Sequence, residues 1–281
     1  MNYQIYDDGS IYFDKSFNQP LSNKLIEIMK TLNKVSFGRD FNQSIDDLPD
    51  NIRMIILGYE FNQPINKFPA NIHTIIFGNK FNQKIDNLPD NYNNQQFDWK
   101  KKNVINVFSN GPSWRCIATD PQFDRFEVET GIRTIMFGGE FNQSLDNLPT
   151  SINSIYFGEK FNKPLDFLPP NIEFITLPGL YNYSVDNFPD SLLYLELGNC
   201  FNQPICKLPN KLKALILGDS FNNKIILNDK LEKLTLGINF DKKIDIIPNS
   251  LKIIAVNQTY PHKISSKKCR VERYRVCYNH A

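Results

Sequence analysis

The chain has 281 residues, a formal net charge of +2, 41% hydrophobic and 13% aromatic residues. That is enough apolar material for a continuous core, and so small a net charge favours no class of partner. No stretch reaches the roughly eighteen apolar residues of a membrane-spanning helix. Five cysteines (Cys116, Cys200, Cys206, Cys269 and Cys277) form no disulfide framework, which points to a reducing compartment. The opening MNYQIYDDGSIYF lacks the basic flank and long apolar run of a secretory signal, so an intracellular, cytoplasmic protein is expected, in the host cytoplasm if viral.

In chain order, the first expected element is a hairpin turning at Asp8-Gly9, a cap with the first strand over 1–16. SNKLIEIMKTLNK follows, where Leu25, Ile26, Ile28 and Met29 are spaced as on a short helix. A repeat then takes over. Phe41, Phe61 and Phe81 are 20 residues apart, as are Phe141, Phe161, Tyr181, Phe201 and Phe221, with Phe240 one residue early. Each opens a pentapeptide such as FNQPI (61–65, 201–205), FNQSI (41–45) or FNKPL (161–165). A fixed period in the twenties marks a solenoid. It is expected over 17–264, followed by a basic C-terminal cap over 265–281 that includes a closing strand in KKCRVERYRVCY. The 60-residue gap from Phe81 to Phe141 is three whole periods, so 91–130 reads as two decayed turns with a loop around SNGPSW, the alternative being a non-repeat insertion.

One period, NIRMIILGYEFNQPINKFPA (51–70), shows the physics. The four residues before Gly58 have strand character, with Ile55 and Leu57 inward and Met54 and Ile56 outward. Stacked turns then form a parallel ladder. A Phe at the same place in each turn builds an internal column. The Asn after it is expected to be buried and to satisfy the backbone groups that the turn leaves unpaired. This gives a structural column of Phe41 and Asn42, Phe61 and Asn62, Phe81 and Asn82, Phe141 and Asn142, Phe161 and Asn162, Asn182, Phe201 and Asn202, and Phe221 and Asn222. Leu-Pro or Phe-Pro pairs such as Phe68-Pro69 and Leu208-Pro209 keep the far side of each turn non-helical.

The recurring pentapeptide, the Gly before it and the Leu-Pro after it resemble the FNIP-repeat family, a leucine-rich-repeat variant known mainly from social amoebae and giant DNA viruses. The resemblance covers about 11–264. It implies a mostly β, right-handed leucine-rich-repeat-like coil, with a parallel sheet on the concave face and an irregular, Pro-containing convex side. It also implies interaction with other proteins rather than catalysis. Some viral members carry an N-terminal F-box. About sixteen residues precede Phe17, too few for one, and none is expected.

Residues that carry chemistry are sparse. The three histidines, His73, His262 and His280, have no spacing that pairs them with a nucleophile, and there is no Gly-rich phosphate loop. No enzyme activity, cofactor or metal is expected. A column of carboxylates (Asp46, Asp86, Asp146, Asp166, Asp186 and Asp245) reads as turn residues rather than as a cation site. His262, Cys269, Cys277 and His280 are zinc-ligand types without a CxxC or HxxxH pair, and read as a cap with free thiols. Six basic residues of the tail (Lys263, Lys267, Lys268, Arg270, Arg273 and Arg275) against Glu272 leave a local charge of +5, an alternative adaptor surface for nucleic acid or an acidic partner. The favoured site is the outward face of the strands. Trp114, Met136, Tyr156, Phe174, Tyr194 and Ile216 are expected to face solvent there and to hold a protein partner, with Tyr156, Phe174 and Tyr194 at the centre.

Overall fold

The computed structural model describes residues 2–89, 132–264 and 269–274. Each turn contributes one short strand, because only three residues separate the turn residues that precede it from the buried side chain and Gly that end it. The strands are β1 (Tyr3–Ile5), β2 (Ser10–Phe13), β3 (Lys34–Ser36), β4 (Met54–Ile56), β5 (Thr74–Ile76), β6 (Thr134–Met136), β7 (Ser154–Tyr156), β8 (Phe174–Thr176), β9 (Tyr194–Glu196), β10 (Ala214–Ile216), β11 (Lys233–Thr235), β12 (Ile253–Asn257) and β13 (Arg270–Tyr274). They form one thirteen-stranded sheet in chain order. β1 and β2 are antiparallel, joined through Gly9 at φ 78°, and every later pair is parallel. The architecture is a parallel β-solenoid of about eleven turns with a spacing of about 20 residues.

The register is in phase throughout. Ile55 lies beside Ile75, Ile75 beside Ile135, and Ile135 beside Ile155. The middle residue of each of these strands is fully buried, and the residue after the strand, such as Leu57 or Phe137, is buried as well. Inward and outward positions alternate as the strand period requires.

Beneath the sheet, the motif rings stack face over face: Phe41 on Phe61 at 6.2 Å, Phe61 on Phe81 at 6.0 Å, Phe201 on Phe221 at 6.0 Å. In some turns a second ring locks the first, as where Phe137 sits 3.8 Å from Phe141. The Gly that follows most of the strands, replaced by Pro178 after β8, has a steric cause. A Cβ on Gly58 would lie 1.8 Å from the carbonyl oxygen of Gly38, and one on Gly78 would lie 1.7 Å from that of Gly58. At Gly58 and Gly78 successive turns meet backbone on backbone, which leaves no room for a side chain.

The one helix of the described residues, α1 (Asn23–Met29), occupies the longer first turn. Ser22 caps it by accepting from the Leu25 N–H, and Met29 is fully buried beneath it. Asn51, one turn on, donates to the Met29 carbonyl at the helix end at 2.9 Å.

The expected decayed turns over 91–130 lie outside the described residues. Their described neighbours contact each other directly. β5 pairs with β6, Phe81 stacks on Phe141 at 6.2 Å, and the Asn142 N–H donates to Asn82 Oδ1 at 2.9 Å. The turns at 71–89 and 132–150 are therefore adjacent rungs, with no turn between them. A gap of three whole periods preserves phase, but it does not require that the intervening residues stack in line.

Candidate partner-binding face

The face is built by the first and third residues of each strand, which the in-phase register brings into two columns across β4 to β11. Tyr156, Phe174, Tyr194 and Ile216 are half-buried there, on the side opposite the core. Phe174 and Tyr194 stack with ring centres 6.3 Å apart, and the Tyr194 hydroxyl donates to Glu196 at 2.8 Å. Burial pushes up the phenols of Tyr156 and Tyr194, the latter also through the neighbouring Glu196 carboxylate, so both stay neutral donors.

Two parts of the expected band differ. Met136 is only 2% exposed, and Ile76 beside it, at 6%, is also buried, so Met136 is not a solvent-facing side chain. Alternation assigns a side chain to a face, but how deep it lies depends on what surrounds it. Trp114 lies outside the described residues. The smaller companions Ser154 and Ala214 are buried, while Thr134 and Thr176 are half-buried. The face is thus a half-recessed aromatic strip at β7 to β9.

One residue before the strands runs a column of polar residues that the strand pattern did not single out: Arg53, His73, Arg133, Asn153 and Glu173. Their backbones are linked, His73 N–H to the Arg53 carbonyl at 2.8 Å and Arg133 N–H to the His73 carbonyl at 2.9 Å. His73 is buried, with Nδ1 3.0 Å from Thr74 Oγ1. Burial, then Arg133 and Arg53, lower its pKa to about 4, so the imidazole is neutral at pH 7. Burial raises the carboxyl of Glu173 against the pull of Arg133 and Lys211. The signal was present in the sequence, since the third position of each period recurs in phase, but only the stacking shows that these side chains neighbour one another.

The other candidates resolve into structural roles. The motif Asn is not buried: Asn62 is half-exposed and Asn202 exposed. Its Oδ1 accepts the backbone N–H of the next turn's Asn, at 2.9 Å from Asn62 to Asn42 and at 2.9 Å from Asn202 to Asn182. In the early turns the motif Gln also donates to it. Of the carboxylate column, Asp46 accepts the N–H groups of Asn66 and Lys67, and Asp186 those of Cys206 and Lys207, the same one-turn step. Burial would raise the Asp46 pKa, but the hydrogen bonds from Asn66, Lys67 and Ser44 prevail and lower it. His262 bonds the Asp241 carbonyl at 2.8 Å and Cys269 is buried, while Cys277, His280, Lys267, Lys268 and Arg275 lie outside the described residues. Among the described residues no three His, Cys, Asp or Glu side chains gather as a metal site, and no helix is long and apolar enough to cross a membrane.

The FNIP Repeat family matches residues 41–68, 141–180, 181–220 and 201–237. The chain is an FNIP-repeat protein. Among solved structures it is similar to CroV588, described as a circular LRR protein, with a TM-score of 0.70 and 25% identity over 97% of this chain. The FNIP-repeat chain spans 41% of the length of that protein. A comparison with curated proteins finds no match.

Proposed function

We propose that this chain is a non-catalytic protein-interaction module that holds a partner protein on its sheet face, centred on Tyr156, Phe174 and Tyr194. Solenoids of the FNIP and leucine-rich-repeat type typically serve as interaction modules. The observation that supports this location is the half-recessed strip of three large aromatics on consecutive turns, two of them stacked at 6.3 Å. A few aromatics in a desolvated centre usually carry most of an interface's energy. Their central strand neighbours Ile155, Ile175 and Leu195 hold the core, so the strip can be altered without opening it.

The test is a triple variant, Tyr156→Ser, Phe174→Ser and Tyr194→Ser, compared with wild type in affinity capture quantified by mass spectrometry. The expected result is loss of the wild-type partner set with an unchanged melting profile. A folded variant that still captures that set refutes the location. Capture that falls steeply with ionic strength, and survives the triple change, assigns the activity to the basic tail instead.

A further inference from the structure

The two outer strands of the sheet, β1 and β13, are complementary to each other. Hydrogen bonds fix which backbone groups point outward. The Asp14 N–H donates to the Asn2 carbonyl and the Tyr6 N–H to that of Ser10, so residues 2, 4 and 6 address β2. Tyr3 and Ile5, between them, turn their N–H and C=O groups away from it, as an antiparallel ladder alternates. At the other end, the Arg270 N–H donates to Lys252 and the Gln258 N–H to the carbonyl of Tyr274, so residues 270, 272 and 274 address β12. Val271 and Arg273 turn theirs outward. Each edge therefore presents two residues, two apart, with donors and acceptors that have no partner among the described residues.

Direction and side chains agree as well. β1 runs against the solenoid's strands and β13 runs with them, so a second copy stacked in line sets the two edges antiparallel. In the register Ile5 opposite Val271 and Tyr3 opposite Arg273, the outward groups meet as two closely spaced hydrogen-bonded pairs. Ile5 pairs with core residue Ile11 and Val271 with core residue Ile254, so both side chains lie on the core side. They are 49% and 36% exposed, apolar surface that the pairing covers. Charge is complementary. Residues 2–14 contain three carboxylates, those of Asp7, Asp8 and Asp14, and no Lys or Arg, whereas β13 has two guanidiniums to one carboxylate.

We propose that this chain assembles head to tail, β13 of one copy adding to β1 of the next and continuing the ladder across the junction. Such an interface is heterologous, and it extends into rings or open filaments according to the curvature.

Two variants decide it by sedimentation velocity on the 281-residue chain. Ile5→Pro and Val271→Pro each remove one outward N–H without touching a bond inside the sheet, a position where an edge strand tolerates Pro. Wild type is expected to grow beyond monomer as concentration rises. Each variant alone is expected to sediment as a monomer or stop as one. An equimolar mixture is expected to form a species of twice the monomer mass and no larger, because each variant retains the edge the other lacks. Circular dichroism confirms folding, and Ile5→Lys, which keeps the N–H but sets a cation opposite Val271 and diagonal to Arg273, stands in if the Pro variant unfolds. Monomeric wild type at every concentration overturns the proposal. So does dimerisation of either Pro variant alone, which indicates like edges pairing, or assembly that ignores both changes.

Discussion

The pentapeptide has an inner half and an outer half, written equally often but placed very differently. Its Phe is wholly buried in turn after turn, stacked about 6 Å from the next ring. Its Asn, one residue later, sits at the surface, where its Oδ1 accepts hydrogen bonds from the turn beyond. Recurrence thus records that every turn has the same geometry to satisfy, and it does not grade the energy involved. Removing a ring leaves a cavity in a close-packed column, while removing a surface amide lets water take over much of its role.

The largest expected break comes from the inner half. Phe61→Ala or Phe201→Ala should lower stability by about 3–5 kcal/mol, seen as a large fall in denaturant midpoint. A shift as small as that of an Asn variant would mean that the column collapses around the lost ring. His73 extends the comparison to a titrating group taken inside. In the unfolded chain its imidazole takes a proton near its ordinary 6.5, whereas the fold delays this to about 4. Between those values the unfolded state binds more protons. The stability present above pH 6.5 is therefore lost as pH falls toward 4, by roughly 3 kcal/mol. Denaturant midpoints across that range should fall in wild type, and the fall should flatten in His73→Gln.

The outer half gives smaller effects. Asn62→Ala and Asn202→Ala should each cost about 1–1.5 kcal/mol, for two hydrogen bonds accepted from the next turn at a surface that water reaches. Loss on the scale of the Phe variants would show that the Asn rather than the ring holds the turns together. The smallest change should run the other way. Tyr181 takes the Phe place in its turn, fully buried, and its hydroxyl has no hydrogen-bond partner among the described residues. Tyr181→Phe should raise the melting temperature, equivalent to about 0.5–1 kcal/mol, by removing a stranded polar group.

Much of the fold was legible because a repeat states its own spacing. The hairpin at Asp8-Gly9, the short helix at 23–29, the strand before each Gly and the inward pair Ile55 and Leu57 all follow from period and local chemistry. The candidate face was legible only in outline. Alternation put Met136 and Tyr156 on one side of the sheet, yet the first is 2% exposed and the second half-buried. Burial is a property of the neighbourhood in three dimensions, which the period does not contain. The Arg53–His73–Arg133 column escaped notice for the related reason that charges 20 and 60 residues apart look unrelated until turns stack.

By itself, the sequence determined the ladder: a side chain repeated in phase must meet its own copy in the adjacent turn, whatever the details. The tertiary structure alone decided which turns are adjacent. Phase is preserved by any whole number of periods, so Phe81 could have met Phe141, Phe161 or any later ring of the series. Strand pairing chose Phe141, because the hydrogen bonds from β5 to β6 and the 6.2 Å ring stack form between specific backbones in space. It also decided that the motif Asn lies outside the core, since the chain leaves the interior as soon as the ring has been buried.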